Sequence, residues 1–191
     1  MHRAVQTPSH AYWTWRLTRG RPGAGWRVLG AVTPDVPGFL LTAALRARGV
    51  AAEDLLDGVY RRPAWRSVHR ALHSALGPLL AWRMASRSRG ARAWAAGWAG
   101  HLLVDYGSHH SDAWPALWPL SAAAWRSPIS YWEPAHHARA WSAMETGAIA
   151  VVVLRASRWE RAVGLVVGVL AAAPLVAPRG QSMWEAGGLR P

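Results

Sequence analysis

Two pairs of ligand-type side chains, His69 with His73 and His101 with Asp105, stand four residues apart inside otherwise apolar text. A helix sets such a pair on one face, one turn apart. Each pair therefore biases its segment towards helix and gives that helix a polar stripe. Burying several imidazoles and carboxylates without partners costs several kcal/mol, so these stripes have to meet a shared partner. More groups of the same kind accompany them: His10, the Pro34-Asp35 pair, and the run His109-His110-Ser111-Asp112. Imidazole and carboxylate are ligands of zinc and similar ions. The pattern points to a metal.

The candidate ligands are His10, Asp35, His69, His73, His101, Asp105, His109, His110 and Asp112. Asp35, Asp105 and Asp112 would offset the ion's charge, and any of them could bridge two ions. A carboxylate left unbound can take a proton from a metal-activated water; Asp35 and Asp105 are the candidates for that catalytic role. Glu133, beside Trp132 in Pro-rich text, is a weaker one. His136 and His137 read equally as ligands, as outer donors that orient a carboxylate, or as a surface pair after a turn. Arg70, between the two His of its helix, is the natural clamp if a substrate carries phosphate. No Gly-rich phosphate loop, nucleophile elbow or dinucleotide fingerprint is present, which disfavours ATP use, serine-hydrolase chemistry and redox cofactors.

The chain has 191 residues and no cysteine. Thiolate zinc sites and Cys nucleophiles are thereby excluded, and any metal must be held by N and O. Twenty-two basic residues, all Arg, stand against ten acids. That excess suits nucleic acid or anionic lipid equally, but the Arg clusters at 16–27 and 83–92 are broken by Gly, Pro and Ser and read as solvated loops. The amino terminus lacks a continuous apolar stretch, so no cleaved signal peptide is expected. Fourteen Trp against one Phe suits a membrane interface, where the ring is buried and its N–H stays wet. The segment Ala162–Val176 is apolar throughout and reads as a marginal spanning helix or a deeply buried one.

Strand patterning is nearly absent, so the expected fold is all-α: a helical bundle with a metal site between helices, a long Pro-rich irregular segment, and one or two C-terminal apolar, membrane-associated helices. Residues 1–20 read as a helix with Thr7 or Ser9 as cap and Pro8 in the first turn. A second apolar stretch, 26–45, is broken by Thr33-Pro34-Asp35-Val36-Pro37-Gly38, which puts Asp35 at a break. Residues 46–66 form a polar connection with a short helix at 52–57. A third helix, 67–86, kinks at Gly77-Pro78, and a fourth runs over 93–106. The prolines at 115, 119, 128 and 134 forbid a long helix; such irregular stretches often cover sites. Two apolar helices at 138–154 and 162–177 follow, joined by Arg155–Arg161. This divides the chain into a metal-binding core at 1–137, an apolar hairpin at 138–178 packed on or in a membrane, and a flexible tail at 179–191.

At Thr7-Pro8-Ser9-His10, Gly30-Ala31-Val32-Thr33-Pro34-Asp35, His69-Arg-Ala-Leu-His73 and Gly100-His101-Leu-Leu-Val-Asp105 the chain resembles the YdjM-like family of inner-membrane-associated metal-dependent hydrolases. His109-His110-Ser111-Asp112, Leu117-Trp118-Pro119-Leu120 and Ser127–Trp132 continue the resemblance, which covers residues 7–137. That family is distantly similar to zinc-dependent phospholipase C and P1-type nucleases, all-helical enzymes with a zinc cluster. The resemblance implies His10, Asp35, His69 or His73, His101 and Asp105 as ligands. Those phospholipases carry a second His-x-x-x-Asp/Glu pair downstream that this chain lacks. His109, His110 and Asp112 partly substitute, giving one or two ions, with zinc the first choice.

The expected function is a membrane-associated, metal-dependent hydrolase that cleaves a phosphoester or other ester. Membrane lipid is the expected partner and a small molecule or lipid the substrate; the resemblance places it at a bacterial inner membrane. A pure packing protein with no metal is the dullest alternative, and two further rivals stand beside the hydrolase. One is a non-catalytic membrane protein with a closed structural ion. The other is a basic nucleic-acid binder using Arg and Trp, ranked below lipid.

Overall fold

The computed structural model describes residues 6–51 and 62–176. The helix expected at 52–57 and the tail at 179–191 lie outside the described residues. The described chain is all-helical, with a single isolated bridge between Pro115 and Ala124.

Helix α1 is Gln6–Thr18, α2 Ala24–Val32 and α3 Val36–Ala47. The break between α2 and α3 falls where two prolines flank Asp35, and the pair is bent there by 60°. Helix α4 is Pro63–Leu72 and α5 Leu76–Met84. The kink expected at Gly77-Pro78 is instead a full break at residues 73–75. There the Ser74 hydroxyl donates to the carbonyl of Trp118 at 2.8 Å, which ties the break to the irregular segment. Pro78 sits in the first turn of α5, where a missing N–H costs nothing. Helix α6, Arg89–Ser108, is the longest. Ser88 caps it by accepting from the Ala91 N–H at 3.2 Å. After the irregular segment come α7 at Ala138–Leu154, α8 at Arg158–Ala171 and a last turn, α9, at Ala173–Val176.

The central contact is α2 on α6, and two glycines permit it. A Cβ on Gly30 would strike the carbonyl of Trp94, and one on Gly97 would strike the carbonyl of Arg27. The two backbones therefore touch. Trp94 Nε1–H donates to Thr33 Oγ1 at 2.9 Å, and Trp98 Nε1–H to the Leu72 carbonyl at 2.7 Å. These bonds tie α6 to the ends of both α2 and α4. On the opposite side of α1, Tyr12 packs with Ile149, Val167 and Ala171 of the α7–α8 hairpin. Trp13 Nε1–H reaches Glu145 at 3.1 Å, and Arg19 pairs with Glu160. Helix α1 thus lies between the α2–α6 layer and the hairpin.

The apolar run at 162–176 is shared between α8 and α9, and of its residues in α8 only Gly164, Val167 and Ala171 are buried. Helix α8 has 14 residues, about 21 Å at about 1.5 Å each, and Val169 is 73 % exposed. No single helix among the described residues is long and apolar enough to cross a membrane. Only α2 with α3 passes that test of length and composition, as a bent pair.

Candidate metal centre

Four separate chain segments deliver the site. His10 comes from the middle of α1, Asp35 from the α2–α3 break, His73 from the end of α4, and His101 with Asp105 from α6. All but Asp35 are buried, and His101 is only 1 % exposed. His10 and Asp105 meet at 3.1 Å, Nε2 to Oδ1. His101 Nε2 lies 3.0 Å from Asp105 Oδ2, and His73 Nε2 lies 3.7 Å from the same oxygen and 3.6 Å from Asp35 Oδ1. Two triads result, His10–His101–Asp105 and Asp35–His73–His101, and within each triad the ligand-type atoms lie within 4.8 Å of one another.

The close approach of His101 to Asp105 lacks the alignment of a hydrogen bond, and His101 Nε2 is a buried nitrogen with no hydrogen-bond partner. Two ligands of one ion stand in that relation: near each other, each aimed at a third point. Ligands about 2.0–2.2 Å from a tetrahedral zinc lie roughly 3.3–3.6 Å apart, close to the separations here. The donor set of imidazole and carboxylate therefore fits a zinc-like ion.

Backbone carbonyls fix which nitrogen faces inward. His101 Nδ1–H donates to the Ala31 carbonyl at 2.7 Å, and His73 Nδ1–H to the His69 carbonyl at 2.9 Å. Each ring is thereby committed to present Nε2 to the carboxylates. The Ala31 carbonyl can reach His101 because Gly30 and Gly97 let α2 approach so closely. Asp35 is held from behind by the Thr7 hydroxyl, which donates to Oδ2.

The electrostatics follow from this packing. Burial works against the charge on Asp35, but His73 and His101 outweigh it and hold the carboxyl at about 2. Burial likewise opposes the charge on Asp105; His109 and His101, with a hydrogen bond from His10, still take it well below the usual carboxylate value. For His101, burial acts against the charged ring, while Asp105 and Asp35 raise its pKa overall. His109 behaves similarly, burial being overcome by Asp112 and Asp105, and ends well above the ordinary imidazole value.

The other candidates divide. His109 stands beside the centre, its Nε2 3.4 Å from Asp105 Oδ1 and its Nδ1 3.0 Å from Asp112 Oδ2, and Asp112 also accepts from Trp132 Nε1–H at 3.1 Å. His69 belongs to neither triad. It stacks on the rings of His73 and Trp114, both centroids 5.6 Å away, and those two rings also touch each other at 5.9 Å. His73 caps the end of α4 one turn after His69, its backbone N–H on the His69 carbonyl at 2.9 Å. His110 stacks on His136 at 3.5 Å and pairs through Nδ1 with the Ser127 carbonyl, so it joins neither triad. Glu133 accepts from the Ser111 N–H at 3.0 Å, and His137 occupies a left-handed turn before α7. Neither Arg70, Glu133, His136 nor His137 belongs to a triad.

A cleft lined by His73, Asp105, Tyr106, His109, Ala113 and Trp114 opens onto the centre. Thr7 reads from sequence as a helix cap but lies inside α1, with its hydroxyl on Asp35. Its spacing of three from His10, which puts both on one helical face, is the signal that marks it. Trp114 and Tyr106 carry no such signal. Comparison with protein-family models, curated proteins and solved structures finds no match for this chain.

Proposed function

We propose that the chain is a metal-dependent hydrolase of a phosphoester or other ester, with zinc the first-choice ion and one or two ions held. The observation that carries this reading is the convergence of His10, Asp35, His73, His101 and Asp105 from four segments into two triads that share His101. A divalent ion bound there would supply Lewis-acid charge and lower the pKa of a water that attacks the ester. His101 and His73 act as oriented nitrogen donors, fixed by their carbonyl partners. Asp105 and Asp35 would offset the ion's charge, and whichever carboxylate oxygen did not bind it would accept the water's proton. His109, backed by Asp112 and lining the cleft, holds or passes that proton at the mouth. The resemblance to inner-membrane hydrolases supports placing this chemistry at a bacterial membrane, near an amphiphilic substrate.

The depth of the cluster favours a second reading, a closed structural ion in a non-catalytic membrane protein. The two separate on one experiment. Purified protein is analysed for metal and then assayed on phosphomonoesters, phosphodiesters and carboxyl esters, with Asp35→Asn and Asp105→Asn beside the wild type. Turnover that follows metal content supports the hydrolase. Bound metal with no turnover leaves the structural ion, and absence of metal removes both.

A further inference from the structure

We infer that the outer face of the α7–α8 hairpin docks on an anionic phospholipid bilayer, lying along one leaflet; this goes beyond the hydrolase reading and does not depend on the metal. Helix α7 buries only Ala138, Ser142 and Ile149, and α8 only Gly164, Val167 and Ala171. Between those positions both helices expose large apolar side chains: Met144, Val151 and Leu154 on one, Leu165, Val166 and Val169 on the other. No charged residue occurs from 146 to 154 or from 162 to 176. A contiguous apolar face of this kind marks an interaction surface.

Charge selects the occupant. The joining turn and the first turn of α8 together carry Arg155, Arg158 and Arg161, all exposed, with exposed Trp159 among them. The one acid there, Glu160, is engaged by Arg19 and by the Ser157 N–H. The rim of the apolar face is therefore cationic, on a chain of net charge +12. Anionic headgroups complement that rim, and tryptophan favours the same interfacial depth. A second copy would bring like charges together. Neither helix is long and apolar enough to cross a membrane, so the hairpin rests in the boundary between headgroups and acyl chains.

Flotation of the full chain with vesicles tests this. Phosphatidylcholine vesicles are compared with vesicles that also contain phosphatidylglycerol, at low and high salt. Wild type is expected to float with the anionic vesicles and to lose that affinity on neutral ones or in high salt. Arg155→Ser and Arg158→Ser should each weaken binding roughly fivefold. Val166→Asp and Val169→Asp should each weaken it at least tenfold, with unchanged circular dichroism. The chain has no cysteine, so Val166→Cys can be labelled alone with an environment-sensitive dye; its emission should shift to the blue on anionic vesicles. If an Asp variant loses its helical signal, the dye reading decides. Equal flotation on neutral and anionic vesicles would overturn the inference, as would full binding by folded Val166→Asp and Val169→Asp. A lipid-free dimer dispersed by Val166→Asp would give the face to a second copy instead.

Discussion

His10 Nε2 lies 3.1 Å from Asp105 Oδ1 although 95 residues separate the two along the chain. The contact closes α1 onto α6 at the point where His101 and His73 also arrive. Removing Asp105 takes away a carboxylate that faces four imidazoles at once. His101→Ala and Asp105→Ala should therefore each abolish stoichiometric metal binding, as measured by elemental analysis. Metal content equal to wild type in both would remove the proposed centre.

His69 and His73 carry different expectations despite their regular spacing. His69 stacks against the rings of His73 and Trp114 without entering a triad, while His73 points Nε2 at both carboxylates. His73→Ala should lose metal, and His69→Ala should keep it, with a drop in melting temperature of a few degrees from lost packing. The opposite order would place His69 among the ligands.

Gly30→Ala touches no ligand. Its added methyl meets the Trp94 carbonyl and forces α2 away from α6, a misfit that costs roughly 1–3 kcal/mol. The Ala31 carbonyl then retreats from His101. We expect lower thermal stability together with weaker metal binding, whereas Gly100→Ala, with open space around it in the interior of α6, should leave metal binding unchanged and raise stability by about 0.5–1 kcal/mol. Titration calorimetry of both variants checks this.

Thr7→Val keeps the shape of its side chain and removes the hydroxyl that donates to Asp35. Groups that orient a ligand typically contribute about 10–100-fold to metal affinity. A loss within that range, with Thr7→Ser retaining wild-type binding, is the expected result. Equal affinity in Thr7→Val would show that Asp35 needs no such support.

Proton linkage fixes the pH behaviour. In the metal-free chain His101 and His109 have pKa values raised above 6.5. The stability they contribute is complete below that value and is lost as pH rises through their folded values. Asp35 runs the other way: its contribution is complete above its ordinary value of 3.8 and is lost as pH falls towards about 2. Metal and protons compete for the same imidazoles. Raising the pH above 6.5 should therefore weaken the metal-free protein in thermal melts while strengthening apparent metal affinity. A metal affinity that falls with rising pH would contradict the assignment of His101.

Much of this was legible beforehand. The all-helical class, the break at Asp35, the helix carrying His101 and Asp105, and the irregular segment after it follow from proline placement and from spacing of polar groups. The break between α4 and α5 lies about three residues before the Gly77-Pro78 kink that the sequence suggests. Its position is set by Ser74, bonded to carbonyls of residues 116 and 118, which no local pattern announces. Thr7 was legible as a polar residue but not as a partner of Asp35, 28 positions away.

The sequence by itself determined which side chains could bind a cation and that helices would carry most of them, because ligand chemistry and helical period are local properties. Tertiary structure decided which of those side chains meet. His101 entered the centre and His110 did not, because Gly30 and Gly97 bring α2 against α6 while Ser127 holds His110 aside. Convergence depends on how backbones pack, and packing is a property of pairs of segments that no single stretch of sequence contains.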